Sequence, residues 1–192
     1  MDSDYQIVGD FCSFLSRTLL SPPHMVLEIG CGRGVAADRL IPYLSSLVAP
    51  EMFKVTLADV DPHVVGFVAS QWRHDSRVNA VVAATDAIVG DFDLVYYFLS
   101  LHHIENTEVE IMSARRLLTK GGMLCVCDFE PGAVPFHQYD VCPHDGLPCA
   151  EIVRLFSRQG LSAVCSEVIS LLPSPRQDGE CYPLWAVAAR ND

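Results

Sequence analysis

Three glycines at alternate positions, Gly30, Gly32 and Gly34, stand directly behind the mostly apolar run at 25–29 and directly before a stretch with helical spacing. A strand that runs into such a turn must reverse tightly and leave the first N–H groups of the next helix open. That geometry suits a ligand lying at the strand's end. The same change of period recurs down the chain. Strands are predicted at 25–29, 54–58, 78–83, 92–98, 123–127, 162–169 and 184–189. Helices are predicted at 10–20, at 35–48 (with Pro42 as a point of kinking), from Pro62, at 108–118 and at 150–159, the fourth closed by Thr119-Lys-Gly-Gly122 as a glycine cap. This alternation predicts an α/β, doubly wound, mostly parallel seven-stranded sheet in a single domain, with ligands beyond the C-terminal strand ends. Residues 1–22 read as a short N-terminal helical cap and 23–192 as the domain proper.

Composition narrows the partners. Of 192 residues, 50% are hydrophobic and 19% charged, enough to bury a sizeable core. The formal charge of −11 repels phosphate backbones and anionic headgroups, so neither nucleic acid nor a membrane surface is expected as a partner. No apolar run approaches the roughly 18 residues of a bilayer span. The start, Met1-Asp-Ser-Asp-Tyr5, lacks the basic-then-apolar order of a secretory leader, and a cytoplasmic location is the expectation. The eight cysteines contain no C-x-x-C pair and are expected as free thiols, with Cys125 and Cys127 on one face of a buried strand.

The glycine turn is not that of a nicotinamide-cofactor site, where G-x-G-x-x-G would need glycine at the position of Val35. Glu28, just before the turn, would oppose a pyrophosphate yet suits a cation. S-adenosylmethionine carries an ammonium and a sulfonium and no phosphate. The alternative for Glu28 is an exposed carboxylate in an ordinary strand–helix turn. Asp59 ends the second strand about 25 residues on, where an acid can accept from both ribose hydroxyls, and Val60 can pack on adenine. Asp61, before Pro62, reads as the cap of the next helix. Asp86, in Thr85-Asp86-Ala87, is placed either for an adenine amino group or as a plain turn residue.

Together these motifs resemble a class I S-adenosylmethionine-dependent methyltransferase of the small-molecule type, with the generic methyltransferase domain. The carriers are Glu28 to Gly34, Val55 to Pro62, Phe92-Asp93-Leu-Val95 through Leu101-His-His-Ile104, the segment 116–124, and the later segments 144–147 and 156–161. The resemblance covers about residues 24 to 190. It implies a Rossmann-like methyltransferase fold and S-adenosylmethionine as cofactor, held by Glu28, Gly30, Cys31, Gly32, Gly34, Asp59, Val60, Asp86 and Ala87. Two features depart from the family. Tyr97 and Phe98 stand where small residues usually approach the cofactor, so their rings are expected to stack on it or wall the acceptor pocket. The N-terminal cap is also short, leaving the acceptor side open.

Methyl transfer from a sulfonium requires alignment and exclusion of water, and a hydroxyl or ammonium acceptor must also lose a proton. His103 and His144 are the candidate bases. His102 and His103 follow the fourth strand, where the other reading is that they hold the loop; His144 could equally serve a helix start. The connection 128–148 is long for a compact domain and dense in rings and titratable groups: Phe136, His137, Tyr139, Asp140, Cys142, His144 and Asp145. Cys142, His144 and Cys149 match no zinc spacing, and no metal is expected. The fourth strand lacks the Asn/Asp-Pro-Pro-aromatic run usual in relatives that methylate adenine or glutamine nitrogens. The expected acceptor is a small apolar or aromatic molecule, with the atom (O, N or C) unresolved. The competing readings are a non-methylating enzyme on the same scaffold, or a subunit that works through a homodimer or another protein partner.

Overall fold

The computed structural model describes residues 2–132, 142–174 and 179–192. Helix α1 (Asp2–Thr18) leads into β1 (Met25–Ile29), α2 (Ala37–Ser45), β2 (Lys54–Asp59), α3 (Pro62–Gln71) and β3 (Val78–Val82). Then follow β4 (Phe92–Phe98), α4 (Thr107–Arg115), β5 (Leu118–Phe129), α5 (Cys149–Arg158), β6 (Ser162–Pro173) and β7 (Cys181–Arg190). The seven strands form one sheet in the order β3-β2-β1-β4-β5-β7-β6. Pairings from β3 to β5 are parallel, while β7 runs antiparallel to β5 and β6. The predicted class and strand number hold. The order reverses between β1 and β4, and a crevice opens above their C-terminal ends.

Two cores flank the sheet. On one face α1, α2 and α3 cover Val26, Val55, Leu94 and Tyr96; on the other α4 and α5 cover Leu27, Val95, Tyr97 and Val126. The alternation of strand side chains divides the two sets. Because both faces of the central strands are buried, β4 is apolar almost throughout, as its sequence requires.

Several boundaries differ from the sequence reading. Helix α1 begins at Asp2 rather than near residue 10, because Ile7, Val8, Phe11, Phe14 and Leu15 form one buried helical stripe. Phe11 lies 5.5 Å from the Phe98 ring and 6.1 Å from that of Tyr96, so α1 packs into the core layer. Helix α2 runs unbroken through Pro42. Gly121 and Gly122 do not cap a helix. α4 ends at Arg115, and the glycines lie inside a longer β5, where Gly122 accepts a hydrogen bond from the Asn191 N–H at 2.9 Å. All eight cysteines are free, with Cys125 and Cys127 buried together in β5. Among the described residues no helix is long and apolar enough to cross a membrane.

Candidate active site

The glycine turn closes against its neighbour strand. The N–H groups of Gly30 and Cys31 both donate to the Ala58 carbonyl of β2, at 2.8 and 3.0 Å. Gly30, at φ 69°, sits against the turn after β4: a Cβ there would lie 2.6 Å from that of Ser100, whose hydroxyl donates to the Ile29 carbonyl at 2.8 Å. Only glycine meets both demands. Asp59 then joins this loop to the next turn, one carboxylate oxygen accepting from Gly32 N–H (3.0 Å) and the other from Asp61 N–H (3.1 Å). Asp61 is the helix cap that the sequence suggested, accepting from His63 N–H at 2.8 Å with Pro62 in the first turn.

Above these loops lies a cleft of about 810 Å³, lined by Gly30, Gly32, Asp59, Val60, Asp61, Val64, Thr85, Ser100, His103 and Glu110, with Ile29, Ala83, Ala84, Leu99 and Ile104 between them. Three carboxylates face it. Among the described residues that line it there is no lysine or arginine. Such a lining disfavours a pyrophosphate and favours a cation. A Cβ at Gly32 would meet nothing within 4 Å, so the loop leaves room in front of it for a ligand to approach the backbone.

Other residues singled out in the sequence lie elsewhere. Glu28 is 2% exposed and does not line the cleft; its side chain shares a face with Val26, beneath α2, and accepts a hydrogen bond from the Tyr96 hydroxyl at 2.7 Å. Burial pushes its carboxyl up to about 8; the Tyr96 bond opposes this, while the charges of Asp38 and Asp59 add to it. Cys31 and Gly34 are buried behind the loop, Gly34 against Val68 and Gln71. Asp86 and Ala87 are exposed in the 3-10 turn Thr85–Ala87, of which Thr85 enters the cleft wall and Asp86 and Ala87 do not.

The expectation for Tyr97 and Phe98 is corrected. Neither ring walls the cleft, because strand alternation sends them to opposite cores. Phe98 packs on Phe11, and Tyr97 is buried beneath α4. The Tyr97 hydroxyl donates to Glu110 at 2.6 Å, and Thr85 donates to the same carboxylate oxygen. Burial beside that carboxylate holds the Tyr97 hydroxyl well above its usual range, keeping it a donor.

The turn after β4 carries the histidines. Leu99 takes φ 52°, uncommon for a residue with a side chain, and the 3-10 turn Leu101–His103 follows. His102 and Asp128 are both fully buried, with Nδ1 2.6 Å from a carboxylate oxygen. Asp128 also accepts from the N–H groups of His102 (3.1 Å) and Phe129 (2.8 Å), fixing the turn to the end of β5. His103 is exposed and lines the cleft. The His144 ring nitrogen Nε2 is 3.1 Å from the carbonyls of Ile104 and Glu105, and the His144 backbone N–H donates to the His102 carbonyl at 3.3 Å. It clamps the turn and does not line the cleft. Phe136, His137, Tyr139 and Asp140 fall outside the described residues. Cys142, by contrast, meets His103, Sγ to Nδ1 at 2.9 Å.

Sequence reasoning missed Thr85, Ser100, Glu110 and Asp128. Asp128 left a signal, a charge terminating an otherwise apolar strand; the others left none.

Fold and cleft define a class I methyltransferase. The family model described as a methyltransferase domain matches residues 27–124, about half of the chain, and the chain belongs to that family. Over 97% of its length it shares the fold of the magnesium protoporphyrin IX methyltransferase of Synechocystis PCC 6803 with bound S-adenosylmethionine, at a TM-score of 0.69 and 18% identity, covering 79% of that chain. An uncharacterized methyltransferase of Mycobacterium tuberculosis is 31% identical over 109 residues, 54% of this chain and 50% of that one. A non-reducing polyketide synthase of Penicillium brasilianum is 26% identical over 121 residues, 60% of this chain and 5% of the synthase. The chain thus spans half or less of these two curated relatives. S-adenosylmethionine is the cofactor consistent with this membership and with the acid-lined, glycine-floored cleft.

Proposed function

We propose that the chain methylates a small apolar or aromatic molecule, with S-adenosylmethionine in the cleft and His103 as the proton acceptor. The observation that carries this reading is an imidazole at the wall of a cleft whose described lining residues include three carboxylates and no lysine or arginine. Gly30 and Gly32 admit the ligand to the backbone, Asp59 accepts from ribose hydroxyls, and Val60 with Val64 offers apolar surface for the base. Glu110, held by Tyr97 and Thr85, supplies negative charge at the β4–α4 side. When bound, the sulfonium supplies an electrophilic methyl group. The protein's part is to align the acceptor, exclude water and receive a proton at the His103 ring.

An apolar acceptor fits the open side of the cleft, which α1 does not cover because it is packed into the core. The polyketide synthase relatives make a small molecule a natural class of acceptor. The alternative of a non-methylating enzyme drew on Tyr97, Phe98 and the ring-rich loop; Tyr97 and Phe98 lie in the cores, and Phe136 and Tyr139 of the loop lie outside the described residues.

The test is a mass-shift assay of one methyl group across a panel of small phenols, amines and β-dicarbonyl compounds. With a responsive acceptor, His103→Ala should lower kcat by about 100-fold or more while leaving cofactor affinity nearly unchanged. Full turnover in His103→Ala would remove the assignment of the base; modification of protein substrates alone would remove the small-molecule reading.

A further inference from the structure

In the sequence, Cys142, His144 and Cys149 match no zinc spacing. The structure brings together a different trio. His102, His103 and Cys142 each present a ligand atom within 4.8 Å of the other two. The rings of His102 and His103 lie 4.2 Å apart, and Cys142 Sγ is 2.9 Å from His103 Nδ1. We propose that these three side chains form a transition-metal site of the zinc class at the wall of the cleft, with the fourth coordination position left to solvent or a bound molecule.

The donor set decides the class of ion. One thiolate and two imidazoles suit zinc, cobalt, nickel or copper and not the oxygen-seeking magnesium or calcium. Three protein ligands with one open position is also how a zinc ion is held where it meets a substrate. Asp128 strengthens the argument. A carboxylate bonded to the second nitrogen of a ligating histidine fixes its tautomer and raises its basicity. Here Asp128 holds His102 Nδ1 at 2.6 Å in a fully buried pair, so Nε2 is the nitrogen turned to the ion. Burial is graded: His102 is buried and anchored, Cys142 is half-buried, and His103 is exposed. An anchored ligand thus meets one that can adjust.

The adjustment is small. A tetrahedral ion with metal–sulfur and metal–nitrogen bonds near 2.3 and 2.1 Å needs its ligand atoms about 3.5 Å apart. The 2.9 Å contact must open by a few tenths of an ångström, within reach of rotation about the exposed His103 side chain, and no pair starts more than 4.8 Å apart. Without a metal, the same contact is a thiol–imidazole hydrogen bond and Asp128 merely anchors the turn. The site stands whether or not the chain methylates anything. Only its effect on turnover rests on the function proposed above, since an ion on His103 would occupy the base.

The chain, stripped of metal with a chelator and desalted, is titrated with Co²⁺ and then Zn²⁺. The expected result is one Co²⁺ per chain, with a thiolate-to-cobalt charge-transfer band and intense tetrahedral visible absorption, both lost as Zn²⁺ displaces it. Cys142→Ser should abolish the charge-transfer band, His103→Ala should weaken Co²⁺ binding at least 10-fold, and Cys181→Ser, at an exposed thiol in β7, should change neither. No stoichiometric uptake by the wild-type chain, or a band that survives Cys142→Ser, would overturn the site. Because the wild-type titration is itself decisive, the proposal does not depend on any variant folding.

Discussion

The two walls of the cleft are built in different ways. On the β1–β2 side, the groups facing the ligand, Gly30, Gly32, Asp59 and Asp61, are fixed by hydrogen bonds that backbone N–H groups donate between the ends of adjacent strands. On the β4–β5 side, the placements depend on contacts between one side chain and another. Asp128 fixes His102 from 26 residues away, Glu110 is held by Tyr97 and by Thr85, and Cys142 reaches His103 across 39 residues. The first wall suits a cofactor that does not change, and the second can be altered one contact at a time. The difference suggests where substrate choice resides.

The most severe test of the first wall is Gly30→Ala. Its φ of 69° and the 2.6 Å approach to Ser100 leave no relaxed placement for a methyl group. Strain alone costs about 1–3 kcal/mol, so the midpoint of urea denaturation should fall clearly and cofactor binding should be lost. A wild-type midpoint would mean that the loop is not packed on the β4 turn. On the second wall, Asp128→Asn should lower turnover more than it lowers cofactor affinity, since the β1–β2 groups are untouched. If affinity fell as far as kcat, the two walls would be one unit.

Glu110→Gln should have a more modest effect. It keeps an acceptor for Tyr97 and Thr85 but removes one charge from the cleft. Affinity for S-adenosylmethionine should drop several-fold, and more than affinity for its uncharged-sulfur product, as read by calorimetry.

The remaining effect concerns Glu28, outside the cleft, and is read in stability and not in turnover. Its carboxyl titrates near 4.5 in the unfolded chain and about 8 in the fold. The folded protein therefore keeps a proton that the unfolded chain releases, and this contribution to stability is complete below pH 4.5 and declines as pH rises toward about 8. Glu28→Gln should flatten that part of the melting-temperature profile. An unchanged slope would show that Glu28 is solvated and charged.

This asymmetry also explains what could be read from the sequence. Alternating strand and helix patterns and the glycine run are local, so the sheet, the turn, Asp59 and the Asp61 cap were legible. Glu28 was recognised but misplaced. It lies at an even step from Val26, which puts it on the core face under α2, and no local pattern states which side of a strand end rises to the ligand. The same parity sent Tyr97 and Phe98 into separate cores. The pairing of His102 with Asp128 and the approach of Cys142 to His103 leave no mark in residue spacing, because they follow from the order of β4 and β5 in the sheet and the return of the chain after β5.

Calorimetric titration of the chain with S-adenosylmethionine, repeated on Asp59→Ala, tests the central claim most directly. One equivalent should bind the wild type, and the variant should lose at least 10-fold in affinity, because Asp59 both accepts from the ligand and ties Gly32 to the next turn. No heat at millimolar cofactor, or equal affinity in the variant, would contradict an acidic cleft built to hold a cationic nucleoside.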